Sequence, residues 1–159
     1  MNIKENTVAT ELSIPKFRIK SLSFYSIGSA ADWEFKGTGT TCSAAGDTGE
    51  CIFKDKISGL EYTENQGATY NWTNAINQCD GLTYAGLSDW RLPTQKELMK
   101  ATIDGIADLQ GSEFGDTSLP YWSSSSTSNA TTYALQLYLN KGYGINSLKT
   151  GSAYITCVR

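Results

Sequence analysis

Ser88-Asp89-Trp90-Arg91-Leu92-Pro93-Thr94-Gln95-Lys96-Glu97-Leu98 is the stretch on which the reading of this chain turns. Proline is tolerated at a helix boundary but not inside one. Directly after Pro93, Thr94-Gln95-Lys96-Glu97 fits a capping box, in which hydroxyl and carboxylate satisfy each other's orphan backbone donors. A helix is therefore predicted from Thr94 to about Ala101 or Thr102, and Glu97 is structural, not catalytic. Trp90 is expected in the core. Arg91 is expected to form a buried salt bridge or to cap loop carbonyls, roles that suit a planar guanidinium.

Upstream, Trp72, Ala75, Ile76, Cys79 and Leu82 fall at helical spacing and give one apolar face, with Asn71 as the cap. Lys54 to Tyr62 reads as a turn leading into a short strand. Earlier still, Phe17 to Leu22 alternates apolar and polar residues, as a half-buried strand does, and Ser23 to Ile27 continues it. Downstream of the second helix, Tyr133 to Leu139 sets Leu135, Leu137 and Leu139 on one face and Ala134, Gln136 and Tyr138 on the other. Asn140-Lys141-Gly142 supplies a turn. Ala153 to Arg159 reads as a last strand with Ala153, Ile155 and Cys157 on one side. Two helices followed by a run of strands make the class α+β, not a parallel βαβ sheet.

Composition narrows the chemistry. With 159 residues the chain suits one domain, divided here into an N-terminal segment 1–51 and a domain 52–159. There are 13 basic and 16 acidic residues, net charge −3, and no Lys/Arg run, which opposes nucleic acid as a partner. The complete absence of histidine removes the usual general base, the usual partner of a Ser or Cys nucleophile, and imidazole metal ligands. No catalytic residue and no cofactor are assigned, and no enzyme is expected. No apolar run reaches the length of a membrane span, and Met1 to Asn6 carries no signal-peptide core. An exported protein would be present here in mature form, without its leader or anchor.

Cys42, Cys51, Cys79 and Cys157 form no C-x-x-C pair, so a zinc site is poorly supported. An even count in this composition reads as two disulfides and an oxidising, extracellular or cell-surface location. Three pairings are possible. The favoured one joins Cys42 to Cys51 around a Gly-containing loop and Cys79 to Cys157, tying mid-chain to the C-terminus. Cys79 on a buried helix face suits a core-spanning disulfide better than a reactive thiol.

Five pieces of the chain occur in an order that resembles a bacterial domain family. These are Asp55-Lys56-Ile57-Ser58-Gly59-Leu60, Trp72 to Cys79, Ser88 to Leu98, Tyr121-Trp122-Ser123-Ser124 and Cys157-Val158-Arg159. The family includes the C-terminal domain of Legionella collagen-like adhesins, and the resemblance covers roughly residues 52–159. It implies a C-type-lectin-like fold, related to formylglycine-generating enzymes and to receptor proteins diversified by retroelements. It also implies a long disulfide from the first helix to the last strand, in agreement with Cys79–Cys157. The Glu-Pro-Asn or Gln-Pro-Asp loop and the Trp-Asn-Asp strand of calcium-dependent lectins are absent, so calcium-mediated sugar chelation is not carried over. Neither is the sulfated glycosaminoglycan associated with the collagen-like adhesins, because this acidic chain lacks a basic patch.

The expected function is extracellular recognition: an adhesin, pilus or other appendage module that binds a glycan or a host or environmental protein. Candidate contacts are Tyr133, Tyr138, Asn140, Tyr143, Asn146 and Tyr154, since aromatic faces stack on sugar rings and amides match hydroxyls. The same residues would equally suit the ordinary surface of a polar sheet. Asp104, Asp108, Glu113 and Asp116 lie in a Gly-containing segment where calcium is conceivable, though a solvated acidic loop is preferred. Ser123 to Ser126, lacking a base, reads as a polar loop. The alternatives are a retroelement-diversified receptor, a homotrimerising or fibre-capping module, and an oxidase similar to formylglycine-generating enzymes, for which only Cys79 and Cys157 could serve.

Overall fold

The structure, a computed structural model, describes residues 32–37, 50–109, 114–128 and 130–159. The strands expected at Phe17–Leu22 and Ser23–Ile27 lie outside these residues, as do Cys42 and Glu113. The class is α+β: the described residues form two three-stranded antiparallel sheets, two α-helices and a short 3-10 helix at Ile106–Leu109. The first sheet takes β1 (Trp33–Gly37), β2 (Cys51–Asp55) and β3 (Glu61–Thr63) in that order. Its edge strand β1 thus comes from within residues 1–51. Trp33 anchors it, 3% exposed, with Nε1 donating to the Asp104 carbonyl at 2.8 Å.

The β2–β3 connection shows why its residues are what they are. The Asp55 carboxylate accepts from the Ile57 N–H at 2.8 Å and from the Ser58 hydroxyl, closing an Asx-type turn. Gly59 then adopts φ +79°, a conformation that a side chain would oppose, and its N–H returns to the Asp55 carbonyl at 2.8 Å.

Helix α1 (Trp72–Asp80) is capped by Asn71, whose side chain accepts from the Asn74 N–H at 2.9 Å. Ala75 and Cys79 are its buried residues, and Leu82 follows the helix instead of lying on it. Helix α2 (Gln95–Ile103) opens with the predicted capping box between Thr94 and Glu97. The second sheet is β4 (Pro120–Thr127), β5 (Ala130–Tyr138) and β6 (Tyr143–Leu148), again in sequence order.

This second sheet separates two cores. Tyr121, Leu137 and Leu139 pack with Leu98 and Ala101 of α2 and with Phe53, Tyr62 and Phe114. Trp122 and Ala134 pack on the other side with Ala75 and Cys79 of α1, Trp90, Ile155 and Cys157. Adjacent strand residues point to opposite faces, so the neighbours Tyr121 and Trp122 anchor different cores. The same fact corrects the expected division of β5. Leu137 and Leu139 are buried but Leu135 is only partly so, while Ala134 and Gln136 on the opposite face are buried as well. The α1 layer covers that face too.

Two further expectations change. Ser123 to Ser126 belong to β4, where the buried Ser123 hydroxyl donates to the Leu135 carbonyl at 2.9 Å. The C-terminal tail is not a regular strand but a series of single bridges: Ala153 to Tyr70, Tyr154 to Tyr121, and Val158 to both Tyr62 and Arg91. It changes partner every few residues because it runs between elements and lies along none of them. Its Cys157 forms the expected disulfide with Cys79, both sulfurs in the core and both residues 0% exposed. Cys51 is buried, and its expected partner Cys42 lies outside the described residues.

Candidate functional site

The Ser88–Leu98 stretch is scaffold. Trp90 is 3% exposed, and its indole N–H points to the Leu87 and Tyr84 carbonyls at 3.1 and 3.3 Å. Arg91 does form a salt bridge, but not a buried one: its side chain is 45% exposed and grips Glu97 with two bonds of 2.8 and 2.6 Å. That grip, with the Thr94 N–H at 2.8 Å, holds the Glu97 carboxyl down to about 2. The Pro93 carbonyl accepts from Ser124 N–H at 2.8 Å, and the Ser125 hydroxyl accepts from Gln95 N–H at 3.0 Å. The Arg91–Glu97 pair and the capping box are thereby internal to the motif, and two backbone groups, Pro93 C=O and Gln95 N–H, join it to β4.

Among the described residues, an open surface lies on the second sheet, and simple lengths explain it. Helix α2, with nine residues, spans about 13 Å. Strand β5, also nine residues, spans about 30 Å. Gln95 at the start of α2 lies beside Gly144, and Thr102 near its end lies beside Gly142. The helix therefore covers the Leu137–Leu139 half of its face and leaves the Tyr133–Leu135 half open. On the opposite face α1 sits at the other end, where the Trp72 indole N–H reaches the Ser123 carbonyl at 2.8 Å and Lys149 Nζ lies 3.9 Å from the Trp72 ring centre. The sheet is covered diagonally.

The open half of the α2-side face holds a groove of about 590 Å³ lined by Ser126, Thr127, Ser128, Ala130, Tyr133, Leu135 and Asn146. Its volume falls in the range of roughly 300–1,000 Å³ typical of small-molecule sites. Asn146 is paired with Leu135, and Leu148 with Tyr133, so these four share one face. Tyr133 is 37% and Leu148 50% exposed. The Thr127 hydroxyl donates to the Ala130 carbonyl at 2.8 Å and fixes the rim where β4 turns into β5.

Of the six expected contact residues, this groove gathers Tyr133 and Asn146. Tyr138, Asn140 and Tyr143 collect at the far end of the β5–β6 hairpin. There the two tyrosine rings lie 5.1 Å apart and Lys141 Nζ is 5.5 Å from the Tyr138 ring centre. Tyr138 and Tyr143 are paired with each other and belong to the opposite face of the sheet from Tyr133. Tyr154 stands apart from both groups. It bridges to β4 on the side away from β5 and β6, half-buried with its ring 6.3 Å from that of Tyr121. The sequence reading missed Ser126, Thr127, Ser128, Ala130 and Leu135. Their signal was the serine run, which is strand and rim instead of loop.

The acidic segment is dispersed. Asp104, the residue capping the end of α2, is 3% exposed, pairs with Lys100 and is hydrogen-bonded to the buried Asp55. Burial and the neighbouring Asp55 carboxylate push the Asp104 carboxyl above its ordinary range, although Lys100 opposes them. Asp108 is exposed, and Asp116 accepts from the N–H and hydroxyl of Ser118 at 2.8 and 2.5 Å. Among the described residues no three acidic or cysteine side chains come together in a group that could hold a metal ion. No helix among them is long and apolar enough to cross a membrane.

A comparison with curated proteins found no match. The family comparison did find one: the Lcl C-terminal domain matches residues 51–159, more than half of the chain and every element from β2 to the final arginine. The chain belongs to the Lcl C-terminal domain family.

Proposed function

We propose that this domain is a non-enzymatic recognition module of an exported, adhesin-type surface protein, built on a C-type-lectin-like scaffold. Family membership supports the adhesin class. The buried Cys79–Cys157 disulfide supports an oxidising location. It also occupies the two cysteines that oxidase chemistry would need, which weighs against that alternative.

The single observation that carries the reading is the half-covered second sheet. A rigid, doubly packed sheet ends in an open groove containing Tyr133 and Asn146, with hydroxyl-bearing side chains on its rim. Binding surfaces of this kind hold loops and side chains on a scaffold that does not rearrange. The ligand is a glycan or a protein, and recognition uses no resident metal. Tyr138, Asn140 and Tyr143 form a second contact surface at the other hairpin end.

The test is adhesion of beads coated with the domain to cultured-cell and extracellular-matrix surfaces, comparing Tyr133→Ala and the Tyr138→Ala/Tyr143→Ala pair with the parent. Loss of adhesion in either variant, with unfolding midpoints unchanged, supports the reading. Equal adhesion by all three proteins refutes both surfaces as binding sites.

A further inference from the structure

The groove on β4–β6 differs in charge from two neighbouring concave surfaces and in size from a third, a hollow of about 290 Å³ lined by Tyr70, Asn74, Asn77 and Gln78. The surface along α2 carries Lys96 and Lys100, and that between α1 and the signature stretch carries Asp80 and Arg91. Among the described residues the groove is lined by Ser126, Ser128, Tyr133, Leu135 and Asn146 and by no ionisable acid or base beyond the phenol. Lys149, close by in sequence, is turned to the other face and held against Trp72.

Charge decides the ligand class. A sulfate or carboxylate entering this groove would give up part of its hydration without meeting a cation among the described residues. A neutral polyol has no such penalty. Its hydroxyls need donors and acceptors in pairs, and its C–H faces need an aromatic or aliphatic surface. Among the described residues, the Asn146 amide, on the same face as Tyr133, has no side-chain hydrogen-bond partner. An amide offers both a donor and an acceptor, as a hydroxyl does. Tyr133, with Leu148 opposite it across the strands, supplies the apolar platform. At the Tyr138–Tyr143 end, by contrast, the rings lie against each other and a lysine stands beside them.

We infer that the groove is a metal-independent site for uncharged oligosaccharides, with a sugar ring stacked on Tyr133 and its hydroxyls bound by Asn146. This rests on the recognition reading above and narrows it to a ligand class and a site.

The experiment is amide-detected NMR titration of the whole chain, in chelator, with maltotriose, lactose and N,N′-diacetylchitobiose, and separately with a heparin tetrasaccharide. At least one neutral probe at millimolar concentration should shift the amides of Ser126, Tyr133, Leu135 and Asn146. Tyr133→Ala should weaken that binding about fivefold or more, and Asn146→Ala about fivefold. Ile57→Ala, an exposed change on the β2–β3 turn, should leave it unaltered. Three outcomes overturn the inference: no groove shifts with any neutral probe, shifts that survive Tyr133→Ala, or the heparin fragment in the groove. Bead adhesion that is lost in Tyr133→Ala, together with silent neutral probes, would leave the recognition reading standing and defeat only the ligand class.

Discussion

Removing the Cys79–Cys157 disulfide should cost this domain a large part of its stability. The bond closes a loop with a sequence separation of 78 residues and joins α1 to the tail that stitches both sheets together. In the chain-entropy account, closing a loop of that length destabilises the unfolded chain by about 4.5 kcal/mol at 25 °C. A domain of ordinary stability has about 5–15 kcal/mol in total. The clean perturbation is Cys79→Ala with Cys157→Ala, which leaves Cys42 and Cys51 untouched, whereas a reductant would not. Both sites are fully buried, so a small cavity adds to the loss. In urea, with a slope of about 2 kcal/mol per molar, the midpoint should fall by about 2 M. The slope should stay equal or rise slightly, because the uncrosslinked chain exposes more surface. A midpoint shift corresponding to less than about 1 kcal/mol would refute the reasoning. It would mean that the tail is held by its backbone bridges alone.

Other outcomes follow from individual contacts. Glu97→Gln should cost about 1–2 kcal/mol, because it removes the exposed Arg91 pair and weakens the capping box together. The Arg91 grip lowers the folded-state value of Glu97 from 4.5 to about 2, so this contribution is complete above pH 4.5 and is lost as pH falls toward 2. Acid titration of the variant's stability should accordingly be flatter than the parent's in that window, and parallel curves would contradict the assignment. Asp104 has the opposite sign: burial and Asp55 raise it, so the parent loses stability as pH climbs through its elevated folded value. Asp104→Asn, which keeps a donor for Asp55, should become more stable relative to the parent between about pH 3 and about pH 7; chemical denaturation at both values checks this, and a difference that stays constant rejects it. Trp122→Phe leaves the Tyr70 carbonyl without the indole donor at 2.8 Å and should cost about 1–3 kcal/mol, measured by thermal unfolding.

The parts of this fold legible in the sequence are those set by local rules. Asn71 and Thr94–Glu97 announce helix starts because caps are satisfied within three residues. Asp55 to Gly59 declares its turn for the same reason. The long disulfide was legible because Cys79 falls on a helix face that must be buried. What escaped depends on which element lies over which. The alternation of β5 predicts two faces, but not that α1 buries Ala134 while α2 stops short of Leu135. For that reason six candidate contacts in one stretch of sequence divide among a groove, a hairpin end and a half-buried bridge. Arg91 was expected to be buried because its partner was unknown; Glu97 stands at the surface, and the pair stays there. The tail resembles a strand by pattern, yet it changes neighbours too often to become one.

The central claim is that this domain recognises its ligand through the open groove on the second sheet, without a metal. The most direct measurement is a broad glycan array probed with the parent and with Tyr133→Ala, each in calcium and again in chelator. The account predicts parent signals on uncharged glycans that persist in chelator and vanish in the variant. Signals that require calcium, that survive Tyr133→Ala, or that fall only on sulfated glycans would contradict it.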